Sequence, residues 1–223
     1  SFAAIAQTPA APGPGMSADF DVFCRFVADD YAYFDSKQTQ WDKVCADLRP
    51  RAAAANNREA LIPVLESALA ELYDFHAHLG TSLPGSPRLI PTGAEVWATM
   101  AGDAALIEDV RDDSAAFKAG VRTGMRVVAI NGQPLAGAVR ERMPRMLRAN
   151  DPEAESWALQ SALAGRQDGK PLRMTVASGQ RTTVLEWLPR IDRPADPISV
   201  RKLDDGLAVI RLNNSLGNEA TIH

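Results

Sequence analysis

Between Asp112 and Gly137 the chain reads DDSAAFKAGVRTGMRVVAINGQPLAG, and most residue types there answer a particular backbone demand. Ser114 can accept a hydrogen bond from the first free N–H groups of a helix. Ser114-Ala115-Ala116 therefore predicts a single helical turn whose small side chains allow close packing on a sheet. Gly120 and Gly124 stand where turns call for positive φ, which glycine adopts without steric cost. Val127, Val128 and Ile130 predict a buried strand, and Asn131-Gly132 a tight hairpin turn. A helical turn, a strand and a hairpin in so short a stretch commit this part of the chain to mixed α and β structure.

The residues before it have another texture. From 17 to 80 the apolar positions recur at helical spacing, predicting a three-helix bundle. Ser17 caps the first helix, which runs to about Phe34; the second runs from about Thr39 to Leu48. The third runs from about Asn57 to Tyr73, with Leu61, Val64, Leu65, Ala68 and Leu72 on one face and Pro63 forcing a late start or a kink. The Pro- and Gly-rich stretch 81–93 is a linker. Beyond it strands are expected at about 94–100, 105–110, 125–131, 172–177 and 182–188, with helices near 114–119, 136–147 and 153–164. Residues 191–197 form a second linker. Residues 198–223 then open a new element, with Leu207, Val209, Ile210 and Leu212 as strand residues after an Asp204-Asp205-Gly206 turn.

Composition narrows the function classes. Of 223 residues, 46% are hydrophobic and 23% charged, and the net charge of -4 supplies no basic footprint for nucleic acid. No apolar run approaches the length that spans a bilayer. Residues 1–16 read as a flexible Ala/Pro-rich tail. Ala4-Ile5-Ala6 before Gln7 also fits the small-x-small end of a signal-peptide remnant, which would imply export. Cys24 and Cys45 lie on the apolar faces of the first two helices. In an antiparallel hairpin they could form a bridge, and otherwise they are buried thiols; two cysteines are too few for a disulfide framework or a metal site. His76-x-His78 with Asp74 is a poor zinc set, because residues two apart do not share a helix face. No metal and no cofactor are expected.

The Ser-x-Ala-x-x-Ala-Gly-x-x-x-Gly pattern, the strand after it and Ile130-Asn131-Gly132 resemble the central signature of bacterial PDZ domains, with Met125 where an acidic residue is usual. DDYAYFDSKQTQWDKVCADLRP (29–50) and LAELYDFHAHLG (69–80) resemble the helical opening of the tail-specific (C-terminal-processing) and tricorn-type serine peptidases. LAVIRLNN (207–214) resembles the first strand of their catalytic core. The order of the three segments matches as well.

That resemblance implies an α+β chain: a three-helix bundle (17–80), a PDZ-like, partly open β-barrel with helices (94–190), and the start of an α/β catalytic core (198–223). It implies a serine endopeptidase acting on polypeptides with free C-terminal tails, in the periplasm or another exported compartment. The nucleophilic serine would then lie beyond His223, and residues 1–223 alone would be inactive. Peptide would add as a strand alongside Glu95, Val96 and Trp97, with Thr92, Gly93 and Ala94 in the carboxylate-receiving loop and helix 136–147 as the facing wall. The loop departs from the Gly-hydrophobic-Gly form, and Pro144 interrupts that helix. His76 matches the histidine that tricorn-type members bring to the serine as general base, although Phe75 replaces their neighbouring serine. The alternative is a non-catalytic peptide- or ligand-binding protein on the same scaffold.

Overall fold

The helices of the N-terminal region form because three amphipathic segments bury one shared stripe. A computed structural model describes residues 16–190, 198–203 and 206–212; the expected tail (but for Met16), the linker 191–197 and most of the turn before the last strand lie outside them. Helices α1 (Met16–Asp30), α2 (Trp41–Ala54) and α3 (Arg58–Ala70) pack round Phe20, Val44, Leu48, Ala52, Val64, Ala68 and Leu72. Cys24 and Cys45 are joined as a disulfide, their Cα atoms 6.2 Å apart. Two differences from the spacing argument stand out. Helix α2 runs through Pro50 to Ala54, because Ala52 is fully buried and holds the last turn in the core. Helix α3 begins at Arg58 despite Pro63: the Asn57 side chain accepts a hydrogen bond from Ala60 N–H and secures the first turn.

The sheet is antiparallel throughout. Strands β1 (Val96–Ala101), β2 (Ala104–Val110), β3 (Arg126–Ile130), β5 (Leu172–Ser178) and β6 (Arg181–Trp187) follow in the order β1-β2-β3-β5-β6, and β4 (Gln133–Pro134) pairs with β3. Ile130 opposes Gln133, so Asn131 (φ 52°) and Gly132 (φ 81°) form the two-residue turn, both in the left-handed region it requires. Ser114 Oγ accepts from Phe117 N–H and starts α4 (Ala115–Lys118). Helices α5 (Leu135–Arg140) and α6 (Pro152–Ala164) cover the sheet over Ile107, Val127, Ile130, Leu159, Leu163 and Met174.

The stretch expected as helix 136–147 is therefore short. After Arg140 the chain turns through Pro144 and docks on the N-terminal helices instead. Gln40 N–H donates to Met146 C=O at 2.7 Å, Arg148 N–H to Gln38 C=O at 2.8 Å, and Met146 packs against the helical core. Tyr73 is the second tie. Its hydroxyl donates to Asp151 and accepts from Gln38 N–H, both at 2.6 Å. Helices and sheet thus belong to one compact unit ending at Pro189.

The second unit begins at Arg190. In it β7 (Ile198–Lys202) and β8 (Ala208–Leu212) form an antiparallel hairpin.

Candidate functional site

The first candidate site is where α3 gives way to irregular chain. Tyr73 takes φ 39° and swings Asp74, Phe75 and His76 off the helix axis. Asp74 Oδ1 accepts His76 N–H at 2.8 Å and lies 3.4 Å from His76 Nδ1, while Oδ2 accepts the Tyr31 hydroxyl at 2.8 Å. Burial pushes the Asp74 carboxyl up, but the hydrogen bonds from His76 and Tyr31 outweigh it and hold the group below the ordinary carboxylate range. Desolvation, followed by the bond to Asp74, pushes the Tyr31 hydroxyl far up, so it stays a donor. The imidazole itself is 94% exposed. With Nδ1 turned to a fixed carboxylate, Nε2 is left to solvent, as a base awaiting a nucleophile would present it. His78 is exposed and its Nδ1 accepts Gly80 N–H. Among the described residues no group of three or more His, Cys, Asp or Glu is placed to hold a metal ion.

The second candidate, residues 92–97, leads into β1, an edge strand. Gly93 N–H and Ala94 N–H are bonded to Leu89 C=O and Pro91 C=O, and Arg111 Nη2 reaches the carbonyls of Pro91 and Thr92. Those two N–H groups are therefore engaged by the chain itself. A Cβ on Gly93 would meet Leu89 O at 2.8 Å, so glycine is required by close approach. Glu95 is buried, and its Oε2 accepts Ala116 N–H at 3.0 Å beneath α4. Val96 is buried opposite Val110.

Trp97 is half-buried and meets Phe75 edge-on, ring centroids 5.9 Å apart. The structure thus brings the His76 segment and the start of β1 together through the residue next to each.

The helix that packs along β1 is α6. Gln160 on α6 is 1% exposed; its Nε2 donates to Ala98 C=O at 2.6 Å, and its Oε1 is buried without a hydrogen-bond partner. Spacing had singled out neither Gln160 nor the Asp74–Tyr31 bond. The available signal was a lone glutamine inside the small-apolar run Ala158-Leu159-Gln160-Ser161-Ala162.

Between α2, α3, the 141–146 turn and α6 lies a cavity of about 570 Å³. Glu71 closes one wall, its Oε2 accepting the N–H groups of Arg145 and Met146 at 2.8 and 2.9 Å; burial pushes its carboxyl up.

Residues 16–70, which hold all three N-terminal helices, match the tricorn protease C1 domain family. That likeness to a tricorn-type protease family is confined to the N-terminal helices. No curated protein matches it. Among solved structures it is similar to mature CPAF complexed with lactacystin, at 12% identity and TM-score 0.50, covering 78% of this chain and 34% of that one. It is also similar to the photosystem II D1 C-terminal processing protease, at 17% identity and TM-score 0.39, covering 88% of this chain and 52% of that one. The CPAF likeness is one of fold, a mixed α and β architecture with an antiparallel sheet. This chain spans about a third of the CPAF chain's length and half of the processing protease's. The C1 match ends at Ala70, three residues before the positive-φ bend at Tyr73.

Proposed function

We propose that the chain is the substrate-selecting portion of a serine endopeptidase of this family. Its sheet region would act as a PDZ-type domain, and its three helices as a bundle presenting His76. The nucleophilic serine is expected from sequence outside residues 1–223, so this portion alone hydrolyses nothing. Polypeptides with free C-terminal tails add as a strand beside Val96–Met100, the segment Thr92–Trp97 forming the entrance and α6 the facing wall. His76 Nε2 takes the serine proton while Asp74 keeps the ring oriented.

The observation that carries this reading is the exposed imidazole paired through Nδ1 with a half-buried carboxylate, held below its ordinary range, that a tyrosine also bonds. The Cys24–Cys45 disulfide supports an exported, oxidising compartment. Among the described residues no helix is long and apolar enough to cross a membrane.

The test uses the full-length parent. Treatment with a serine-reactive fluorophosphonate should add one adduct beyond residue 223. His76→Ala should lower turnover by about a hundred- to ten-thousandfold with folding intact. A parent that takes no adduct and cleaves no polypeptide would favour the non-catalytic binding protein. Unchanged turnover in the variant would remove His76 from the mechanism.

A further inference from the structure

Strand β1 is an edge strand, and one side chain of α6 closes its free edge. Ile107 N–H donates to Met125 C=O and Ile107 C=O accepts Gly124 N–H, so the polar groups of Ile107 point away from β1. Opposite residues of an antiparallel pair either both face each other or both face away. Ala98, opposite Ile107, therefore turns its N–H and C=O to the outer side of β1. There Gln160 meets it: Nε2 donates to Ala98 C=O at 2.6 Å, and both residues are 1% exposed. A carbonyl only accepts, so the amide nitrogen must face Ala98 and the amide oxygen is left over. Among the described residues that oxygen is buried without a hydrogen-bond partner. Permanent cover of this edge does not call for a glutamine, because an apolar side chain would bury the same surface without orphaning an oxygen.

We propose that Gln160 is a gate on the peptide groove: its amide stands in for the main chain of an incoming strand, and a polypeptide tail pairs with Ala98 only by displacing it. An added strand has to bring a main-chain N–H to Ala98 C=O. Gln160 already supplies an N–H there, from a helix that packs along β1, so the closed edge and the paired edge exclude each other. At Ala98 the exchange is nearly even, since one amide N–H replaces another. At Gln160 it is favourable, because the displaced side chain finds a donor for its orphaned oxygen in the peptide or in water. While the groove is empty, the same amide keeps the buried Ala98 carbonyl bonded.

The gate rests on the peptide-binding reading above, and the experiment separates the two. Equilibrium dialysis against a pool of N-acetyl octapeptides, random in sequence with free C-terminal carboxylates, compares the wild-type chain with Gln160→Leu. That variant keeps the bulk of the side chain and removes the amide. It should bind the pool about tenfold more tightly, because Ala98 C=O then waits for a donor that an added strand brings. Hydrogen exchange in isotope-labelled wild-type chain is the second readout. The Gln160 side-chain amide protons, buried and bonded in the free chain, should exchange slowly there and quickly at saturating peptide. If Gln160→Leu fails to fold, this exchange decides. Equal or weaker binding by the folded variant, or slow exchange that persists in the saturated wild type, would overturn the gate and leave peptide binding standing. Binding by the variant alone would support the gate. Binding by neither chain would overturn the peptide reading and the gate together.

Discussion

The hairpins β5–β6 and β7–β8 are built alike, yet the first buries the inward face of its β5 strand and the second does not. In β5, Leu172, Met174 and Val176 alternate inward and are at most 4% exposed. In β7–β8, Ile198 opposes Leu212 and Val200 opposes Ile210, so the period of two puts all four on one face. All four are exposed, Ile210 at 66%. Alternation of apolar residues specifies which face of a hairpin seeks cover, not whether cover is present. For β5 the cover is α5, α6 and the rest of the sheet. Among the described residues the apolar face of β7–β8 is exposed.

The comparison can be broken by truncation in each hairpin. Met174→Ala should cost about 2–5 kcal/mol, because it removes a fully buried side chain from a packed core. Ile210→Ala in the same chain should change stability by no more than about 0.5 kcal/mol, since its methyl groups already meet water. Urea unfolding measures both; equal losses would mean that the second hairpin is covered in solution.

The next effect belongs to the larger unit. Cys24→Ser with Cys45→Ser should lower its stability by about 3 kcal/mol through the freed loop of the unfolded chain, leaving β7–β8 unaffected. Urea midpoints with and without the bridge check this, and a change below about 1 kcal/mol would contradict it.

Gly93→Ala should follow at about 1–3 kcal/mol, because the added Cβ meets backbone at Leu89 O, which has little room to move. A substitution at exposed Gly206 should test only its positive φ, since a Cβ there meets nothing within 4 Å.

The smallest effect is the acid limb. Asp74 is held below its ordinary value in the folded chain, so the stability it contributes is present above the unfolded value, about 4, and is lost as pH falls through the folded one. Asp74→Asn should flatten that part of the stability curve below about pH 4. Thermal melts across pH 3 to 6 would show it, and an unchanged slope would mean that the Tyr31 and His76 bonds do not survive in solution.

Much of the architecture is legible in the sequence. Helical spacing located α1 to α3, and the Ser114 to Gly132 pattern located α4, β3 and the hairpin turn, because each depends on contacts within a few residues. The misjudged boundaries share one cause. Leu48 was a reasonable end for α2 until Ala52 met a core from other helices, and 136–147 was a reasonable helix until Met146 found a place against Gln40. The proline positions were visible; the burial that overrode Pro50 was not.

The candidate site divides the same way. His76 stood out by motif, and Val96 and Trp97 by their place at the head of a strand. Local residue chemistry was enough to decide strand, turn and helix start, since a cap, a positive φ and a period of two act over one to four positions. Only the folded chain decided that Asp74 faces Tyr31, that Phe75 meets Trp97, and that Gln160 bonds the edge of β1. Those partners lie tens of residues apart, and no local pattern encodes a distance across the chain.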